Sequence, residues 1–373
     1  MKTETPTLKE RWQAYRQLHP KIRIRDAASA LGVSEAELLA TGCGGGGGAS
    51  GPAAWPGEPK RSSHQNVTRL AGDWTKLVTD LSILGRVMCL TRNEHAVHER
   101  FGEFLKTDFF HGMGQVVGPD IDLRLFMTHW QNGFALTDFT PDGERQSFQF
   151  FDASGEAVHK VYLQKESNYG GYGVILNKYR SPDQGTEQSV EPAPASKPEI
   201  PDAEIDVAGF QQAWLEMKDT HAFFVIMGKF RVGREQALRL APEGYARKVS
   251  VASTKQMLGA ASASGTPIMV FIGNRGCLQI HTGTVKNIKM FGGEWLNVLD
   301  DEFNMHLRDT AVAGAWVVKK PTVDGNVTSL ELFDAKGNNL VIFFGKRKPG
   351  EPENEAWRKI VSELKEAETT NLH

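Results

Sequence analysis

The sequence predicts an α+β fold in which one unit is present twice, each copy having antiparallel strands and helices. Three observations predict it: residue types that recur at a constant spacing, a Pro-, Ser- and Glu-rich segment between the copies, and helices that precede runs of strands in each copy. The chain has 373 residues, which is enough for two domains at about 100–200 residues each.

The repeat is clearest around two Asp-Gly turns. Adding 182 to a residue number in the first copy gives the same residue type in the second copy at seven ordered positions. These pairs are Leu125 and Leu307, Asp142 and Asp324, Gly143 and Gly325, Ser147 and Ser329, Phe151 and Phe333, Asp152 and Asp334, and Gly155 and Gly337. Further upstream a spacing of 181 pairs Asn93 with Asn274 and Gly102 with Gly283. Two unrelated hairpins would not keep this order, so the sequence indicates an internal duplication.

The predicted domains follow from the repeat. We assign residues 1–180 to the N-terminal repeat, 181–202 to a linker and 203–373 to the C-terminal repeat. The linker has almost no large apolar residue, which is typical of an extended segment. A Gly-rich stretch at about 42–63 is predicted to be a flexible insertion that does not contact ligand. It has neither the preceding strand nor the Gly-Lys-Ser/Thr of a phosphate-binding loop.

In the first copy the apolar spacing predicts helices before strands. Helices are expected at residues 10–18 and 24–31, after a Ser34 cap, and after Gly72, where leucines 77, 81 and 84 recur at helical spacing. Strands are expected at 86–91, 122–128, 133–138, 146–152 and 158–164.

The second copy repeats this order. Helices are expected at residues 210–218, 221–228 and 234–240, and a closing helix at 357–372. The predicted strands lie at 268–273, 277–285, 303–307, 315–320, 329–333 and 340–344.

Composition excludes several classes of protein. The 43 Lys and Arg against 45 Asp and Glu give a net charge of −2, which argues against a protein that grips polyphosphate. The longest apolar runs, such as residues 267–272, are far shorter than the ~20 residues of a membrane span. Cys43, Cys89 and Cys277 form no CxxC pair, which fits a reducing cytoplasm, and the first residues have no signal-peptide pattern.

Two local motifs leave alternatives open. His95 and His98 have the spacing of a metal pair only if that stretch is helical, and no third ligand lies nearby in the sequence. Residues 25–39 resemble the first helices of a DNA-binding helix-turn-helix. Glu35 and Glu37, however, stand at positions where a helix that faces DNA phosphates would carry Lys or Arg.

The segment 217–227 has a different character. Thr220 is expected to cap a helix, which places His221 in its first turn among aromatic and Met residues. A lone His in such surroundings is more often a core or boundary residue than a ligand. Arg234, Lys319 and Lys320 add positive charge, and an imidazole, an apolar floor and separated cations are what a heme requires.

Longer motifs point to a family. The stretches 92–98, 122–126, 143–151, 268–283 and 315–333 together resemble the bacterial cytoplasmic hemin-degrading and hemin-transport proteins that accompany heme importers. The resemblance covers nearly the whole chain apart from the Gly-rich insertion and the linker. It implies duplicated halves, each a large antiparallel β-sheet flanked by helices, with one heme in a cleft between them.

The resemblance also implies roles for individual residues. His221 matches the axial ligand of the heme iron, and Arg124, with Phe126 beside it, matches a catalytic distal arginine over the other heme face. Arg234 and Lys320 match cationic groups that hold the propionates. His98 matches a heme-site position in the first half.

This chain departs from the family pattern near its last strand. Ile342 and Phe344 replace a polar residue and a tyrosine, which removes hydrogen bonds to the heme. The repeat is also asymmetric, because Arg124 falls opposite His306 and the first copy has no histidine at the place equivalent to His221. One heme per chain is therefore expected.

The function implied is heme binding after import, followed by oxidative degradation that releases iron. Dioxygen and an external reductant would be needed, since the sequence has no flavin or nicotinamide fingerprint. The alternative is a non-enzymatic carrier that passes heme to a separate heme oxygenase. The expected partners are heme, an inner-membrane heme importer as donor and a downstream oxygenase. Neither stable nucleic-acid binding nor membrane insertion is expected.

Overall fold

In a computed structural model, the chain divides into two compact units. The structure describes residues 5–44, 66–140, 143–195, 198–348 and 350–367. The first unit takes the described residues within 1–91, 101–194 and 274–277, and the second takes those within 92–100, 195–273 and 278–373. The division after residue 194 falls inside the segment 181–202 assigned to a linker. Most of the predicted Gly-rich insertion, residues 45–63, lies outside the described residues.

Helices and strands are interspersed along the described part of the chain. The helices are α1 (Leu8–Leu18), α2 (Ile24–Leu31), α3 (Glu35–Ala40), α4 (Trp74–Asp80), α5 (Tyr169–Tyr179), α6 (Val207–Leu215), α7 (Ala222–Phe230), α8 (Arg234–Arg239), α9 (Ser253–Ser264) and α10 (Glu355–Ser362). The first nine strands are β1 (Asn66–Leu70), β2 (Arg86–Arg92), β3 (Ala96–Glu103), β4 (Lys106–Phe110), β5 (Met113–Val117), β6 (Asp122–Phe126), β7 (Asn132–Thr140), β8 (Gly143–Phe151) and β9 (Ala157–Leu163). The next nine are β10 (Ala246–Val249), β11 (Ile268–Gly273), β12 (Cys277–Gly283), β13 (Ile288–Phe291), β14 (Trp295–Leu299), β15 (Phe303–Arg308), β16 (Gly314–Thr322), β17 (Gly325–Phe333) and β18 (Asn339–Gly345).

Local chemistry accounts for several helix ends. The Ser34 cap is confirmed: its hydroxyl accepts a hydrogen bond from the Glu37 N–H, and the Glu37 carboxylate accepts one from the Ser34 N–H. The closing helix is shorter than predicted and ends at Ser362. The residues that follow leave the helix because they pair with the end of β10, where the Ser250 N–H donates to the Lys365 carbonyl.

In the first unit, β1, β7, β8, β9 and β2 form an antiparallel series in that order, and β4, β5 and β6 pair consecutively. Helices α4 and α5 supply Leu77 and Tyr172 to a buried cluster that includes Phe148 and Phe150 of β8. The helix-turn-helix-like segment is tied to this unit, because the buried Glu35 carboxylate pairs with Lys160 of β9.

In the second unit, β10, β16, β17, β18, β11 and β12 form an antiparallel series in that order. Residues 96–100 of β3 pair with β15, which continues through β14 to β13. Side chains alternate between the two faces of β16. Trp316 and Val318 pack with α6, α7 and α8, whereas Ala315 and Val317 belong to the core that contains α9 and α10.

The duplication is visible in matching irregularities. A register shift lies at Phe150/Phe151 between β8 and β9, and another lies 182 residues later at Leu332/Phe333 between β17 and β18. After each shift an Asp, residue 152 or 334, accepts hydrogen bonds from backbone N–H groups two and four residues on. The turns are completed by Gly155 and Gly337 at φ +79° and +75°, a backbone conformation that favours glycine. The predicted duplicated α+β fold with antiparallel sheets is confirmed.

Among the described residues, no helix is long and apolar enough to cross a membrane.

Candidate functional site

His221 lies at the start of α7 as its N-cap residue, and its side chain is 91% exposed. The predicted Thr220 cap is wrong by one residue. The turn into the helix is organised by Asp219, whose Oδ1 accepts the His221 backbone N–H at 2.7 Å. The same oxygen lies 2.6 Å from His221 Nδ1. The hydrogen bond from the His221 backbone N–H holds the pKa of Asp219 below its ordinary value.

The apolar side chains of α7 divide between the core and solvent. Phe223 and Met227 are buried, whereas Phe224 is 77% exposed and Val225 is also exposed. The tip of the β16–β17 hairpin adds exposed Val323, whose backbone N–H donates to the Lys218 carbonyl at 3.1 Å. We call His221, Phe224, Val225 and Val323 the His221 surface. It combines an open imidazole with apolar side chains that have no core role.

The predicted propionate-binding cations meet at one carboxylate. Glu331 of β17 is completely buried; its Oε2 accepts from Arg234 Nε at 2.8 Å and its Oε1 accepts from Lys320 Nζ at 2.6 Å. Ser329 donates to Glu331 Oε1 at 2.9 Å. Both cations also lie over the Phe223 ring, with Arg234 Cζ at 5.7 Å and Lys320 Nζ at 4.7 Å from its centroid.

The charges of this buried group depend on one another. Burial alone would raise the pKa of Glu331, but the charges of Arg234 and Lys320 lower it to about 2. Burial lowers the pKa of Lys320, and Glu331 acts against that change. Two cations and one anion leave a charge of +1, and Arg234, whose side chain is 26% exposed, is its solvent-facing member.

The neighbouring strand extends this face with apolar groups. Ile342 and Phe344 of β18 stand directly opposite Glu331 and Ser329 in the register, and directly paired residues point to the same side of a sheet. Phe344 packs edge-on against Phe271 at 5.2 Å between ring centroids. Ile342 and Phe344 therefore provide an apolar, half-buried wall.

Arg124 and Phe126 lie in the first unit on β6. They share a face with Met113 and Gln115 of β5, which stand opposite Phe126 and Arg124, respectively. This face contrasts with the opposite one, where Leu123 and Leu125 are buried. We call its half-exposed or exposed members the Arg124 surface: Phe110, Met113, Gln115, Val117, Arg124 and Phe126. The Arg124 guanidinium pairs with Asp122, and NH1 also donates to the Leu123 carbonyl at 3.1 Å.

His98 has a different environment from His221. It is fully buried on β3, and its ring lies 4.9 Å from the ring of Phe303, which in turn stacks on His281 at 3.8 Å. The helical spacing needed for a metal pair with His95 is absent, because His98 lies in a strand and His95 in the turn before it. In the described part of the chain no group of three or more His, Cys, Asp or Glu could hold a metal ion.

Comparison with known proteins assigns the chain to a family. A family model described as the haemin-degrading HemS.ChuX domain matches residues 32–179 and 231–364. The chain belongs to this family. The resemblance inferred from the sequence motifs is thereby confirmed.

Relatives of this HemS.ChuX family member match over most of their length. The hemin transport protein HmuS of Yersinia pestis is 35% identical over 347 residues, which is 93% of this chain and 94% of the relative. The heme-binding protein PhuS of Pseudomonas aeruginosa has a crystal structure with a TM-score of 0.88 and 41% identity, covering 96% of this chain and 99% of PhuS. ChuS, described as an E. coli heme oxygenase, has a TM-score of 0.80 and 33% identity, covering 94% of this chain and 98% of ChuS.

The predicted site residues belong to two different units. Arg234 and Lys320 share Glu331, and His221 belongs to the same unit, whereas Arg124 and Phe126 belong to the first unit. Sequence reasoning missed Asp219 and Glu331. Each had a signal: Asp219 lies two residues before His221, and Glu331 interrupts the otherwise apolar run 330–333.

Proposed function

We propose that this chain binds heme, with His221 as the main axial ligand of the iron. The observation that carries this proposal is the His221 surface: an imidazole open to solvent, held through Nδ1 by Asp219, beside exposed Phe224 and Val225. An imidazole nitrogen lone pair can ligate heme iron and apolar side chains can contact the macrocycle, and this surface supplies both. The family membership and the heme-binding relative PhuS support the same proposal.

The propionates would be attracted by the +1 charge of the Arg234, Lys320 and Glu331 group. We assign the first propionate contact to Arg234, because it is the partly exposed cation. Lys320 contributes positive charge from its buried position, and a direct contact with a propionate would require it to leave Glu331. We keep His98 as a proposed structural neighbour of the site, since its ring is buried against Phe303.

We further propose that the chain degrades heme oxidatively, using dioxygen and an external reductant, and so releases iron in the cytoplasm. The family description as haemin-degrading and the relative ChuS support this step. Arg124 is the proposed catalytic residue. Its guanidinium is permanently charged and has only donors, so it can stabilise developing negative charge but cannot ligate iron. Phe126 and the other apolar members of the Arg124 surface would exclude water from that charge.

The carrier alternative has an observation of its own. An iron ligand whose side chain is 91% exposed in the protein is open to exchange with an importer that donates heme or an oxygenase that accepts it. The hemin transport relative HmuS agrees with this alternative.

Product analysis distinguishes the two functions. The purified protein is loaded with heme and given a reductant in air with catalase present, and the pigments and released iron are identified. Catalase is needed because free peroxide destroys heme without an enzyme. An enzyme yields an opened tetrapyrrole and free iron at a rate that depends on Arg124. A carrier leaves the heme intact and transfers it to an added heme oxygenase.

A further inference from the structure

The side chain of Asp219 makes two contacts with the same residue. Its Oδ1 lies 2.7 Å from the backbone nitrogen of His221 and 2.6 Å from Nδ1 of the His221 ring. One carboxylate oxygen therefore fixes both the turn that begins α7 and the orientation of the imidazole. The turn is anchored on its other side, because the Ala222 N–H donates to the Asp219 carbonyl at 3.2 Å and the Val323 N–H donates to the Lys218 carbonyl.

The contact between Asp219 Oδ1 and His221 Nδ1 determines which ring nitrogen of His221 carries the proton. A carboxylate at neutral pH accepts hydrogen bonds and has no proton to donate. The proton between Asp219 Oδ1 and His221 Nδ1 therefore belongs to Nδ1. A neutral imidazole carries one proton, so the lone pair is left on Nε2. Without the carboxylate, a ring that is 91% exposed would rotate and exchange between its two tautomers.

We propose that Asp219 is a positioning residue that holds His221 in the Nδ1–H tautomer with Nε2 directed at the heme iron, and that it strengthens the iron–imidazole bond. This inference rests on the proposed function, since it concerns the same ligand. A metal-binding His that donates its second N–H to a carboxylate is oriented and made more basic by that partner. A more basic ligand stabilises ferric over ferrous iron and lowers the reduction potential.

The expected effect of losing the carboxylate follows from these two roles. Removing such a partner typically lowers metal affinity about 10- to 100-fold. If the affinity for ferric heme falls about tenfold more than that for ferrous heme, the midpoint potential rises by about 59 mV. The Asn in an Asp219→Asn variant still offers an oxygen to the His221 backbone N–H, so the turn is kept while the negative charge is lost. Asp206→Asn is the matched control, because Asp206 caps α6 of the same unit by accepting from the Gly209 N–H at 2.9 Å.

The first test uses the heme-free protein and does not depend on function. Nitrogen-15 NMR of the histidines at pH 8 should show wild-type His221 protonated at Nδ1, and an Asp219→Ala variant, which removes the acceptor oxygen, shifted toward the Nε2–H form. A wild-type ring protonated at Nε2 would overturn the inference, whether or not the variant folds.

The second test uses the heme complex. Asp219→Asn should raise the midpoint potential by about 59 mV and lower the frequency of the iron–histidine stretching vibration in resonance Raman spectra. Asp206→Asn should change neither. An unchanged potential and vibration in Asp219→Asn, with heme still bound through His221, would reject the positioning role. A His221→Ala variant whose heme spectrum equals that of wild type would instead reject the proposed axial ligand, so the two failures are distinguishable.

Discussion

Glu331, whose carboxylate is buried, is the most informative single residue to substitute in the second unit. It accepts hydrogen bonds from Arg234, Lys320 and Ser329, and all three bonds are between 2.6 and 2.9 Å long. A Glu331→Gln substitution keeps the size of the side chain and removes its charge. Lys320 is then left buried at 2% exposure without its counter-ion.

The magnitude can be worked out from the pKa of Glu331. That pKa is about 2, against an ordinary 4.5, and each pKa unit corresponds to about 1.4 kcal/mol. The ionised carboxylate is therefore stabilised by about 3 kcal/mol, close to the roughly 3–5 kcal/mol lost when one partner of a buried ion pair is removed. Because the folded-state pKa is depressed, this stabilisation is fully present above pH 4.5 and is lost as the pH falls toward 2.

Urea unfolding at pH 7, followed by circular dichroism, measures the effect. We expect Glu331→Gln to lower the free energy of unfolding by about 3 kcal/mol. The matched control is Glu199→Gln, which removes an ion pair with Arg239 of nearly the same length, 2.8 Å, in which both side chains are 42% exposed. That control should cost less than about 1 kcal/mol. A Glu331→Gln variant as stable as the control would refute the reasoning, since burial would then not distinguish the two pairs.

Three further predictions concern the proposed surfaces and the acid stability of the first unit. Phe224→Ser should weaken heme binding about 10- to 100-fold with an unchanged free energy of unfolding. The control Val174→Ser, at an exposed position of α5, should leave heme binding unchanged. Equal heme affinities of the two variants would exclude the exposed face of α7 from heme binding. Arg124→Ala should slow turnover per bound heme by about 10- to 1,000-fold with a smaller loss of affinity. Unchanged turnover would leave Arg124 only its contacts with Asp122 and the Leu123 carbonyl. Burial lowers the pKa of His159 to about 3 from 6.5, so below pH 6.5 the unfolded chain binds a proton that the folded ring does not, and the free energy of unfolding decreases as the pH falls toward 3. His159→Val, which introduces the residue type found 182 positions later at Val341, should therefore reduce the stability lost between pH 7 and 4 by about 3 kcal/mol, and an equal loss in variant and wild type would contradict it.

The sequence predicted the repeat, the α+β class and the strands with strong alternation. The strand Ile268–Gly273 has the predicted bounds, because its side chains alternate between buried and half-buried positions. Hairpin β4–β5 was missed because its two turn residues are His111 and Gly112, both at positive φ, rather than the Asn-Gly pair that marks such turns. Helix α9 was missed because its small residues give little apolar periodicity, although Met257 and Leu258 are buried.

The candidate site was predictable only in part. The imidazole of His221 and the cations Arg234 and Lys320 were singled out from the sequence, but their shared dependence on Glu331 is a long-range contact that spacing does not encode. The proposed roles of Arg124, Phe126 and His98 stay predictions that came from motif resemblance. Local sequence at His98 does not distinguish a ligand from a residue buried against Phe303.

The central claim is that His221 binds the iron of one heme per chain. Heme titration followed at the Soret band tests it most directly, with His221→Ala beside wild type and His19→Ala, at an exposed histidine of the first unit, as the control. We predict a one-to-one endpoint for wild type and His19→Ala, and a shifted band with much weaker binding for His221→Ala. A His221→Ala variant that keeps the wild-type spectrum, endpoint and affinity would contradict the account.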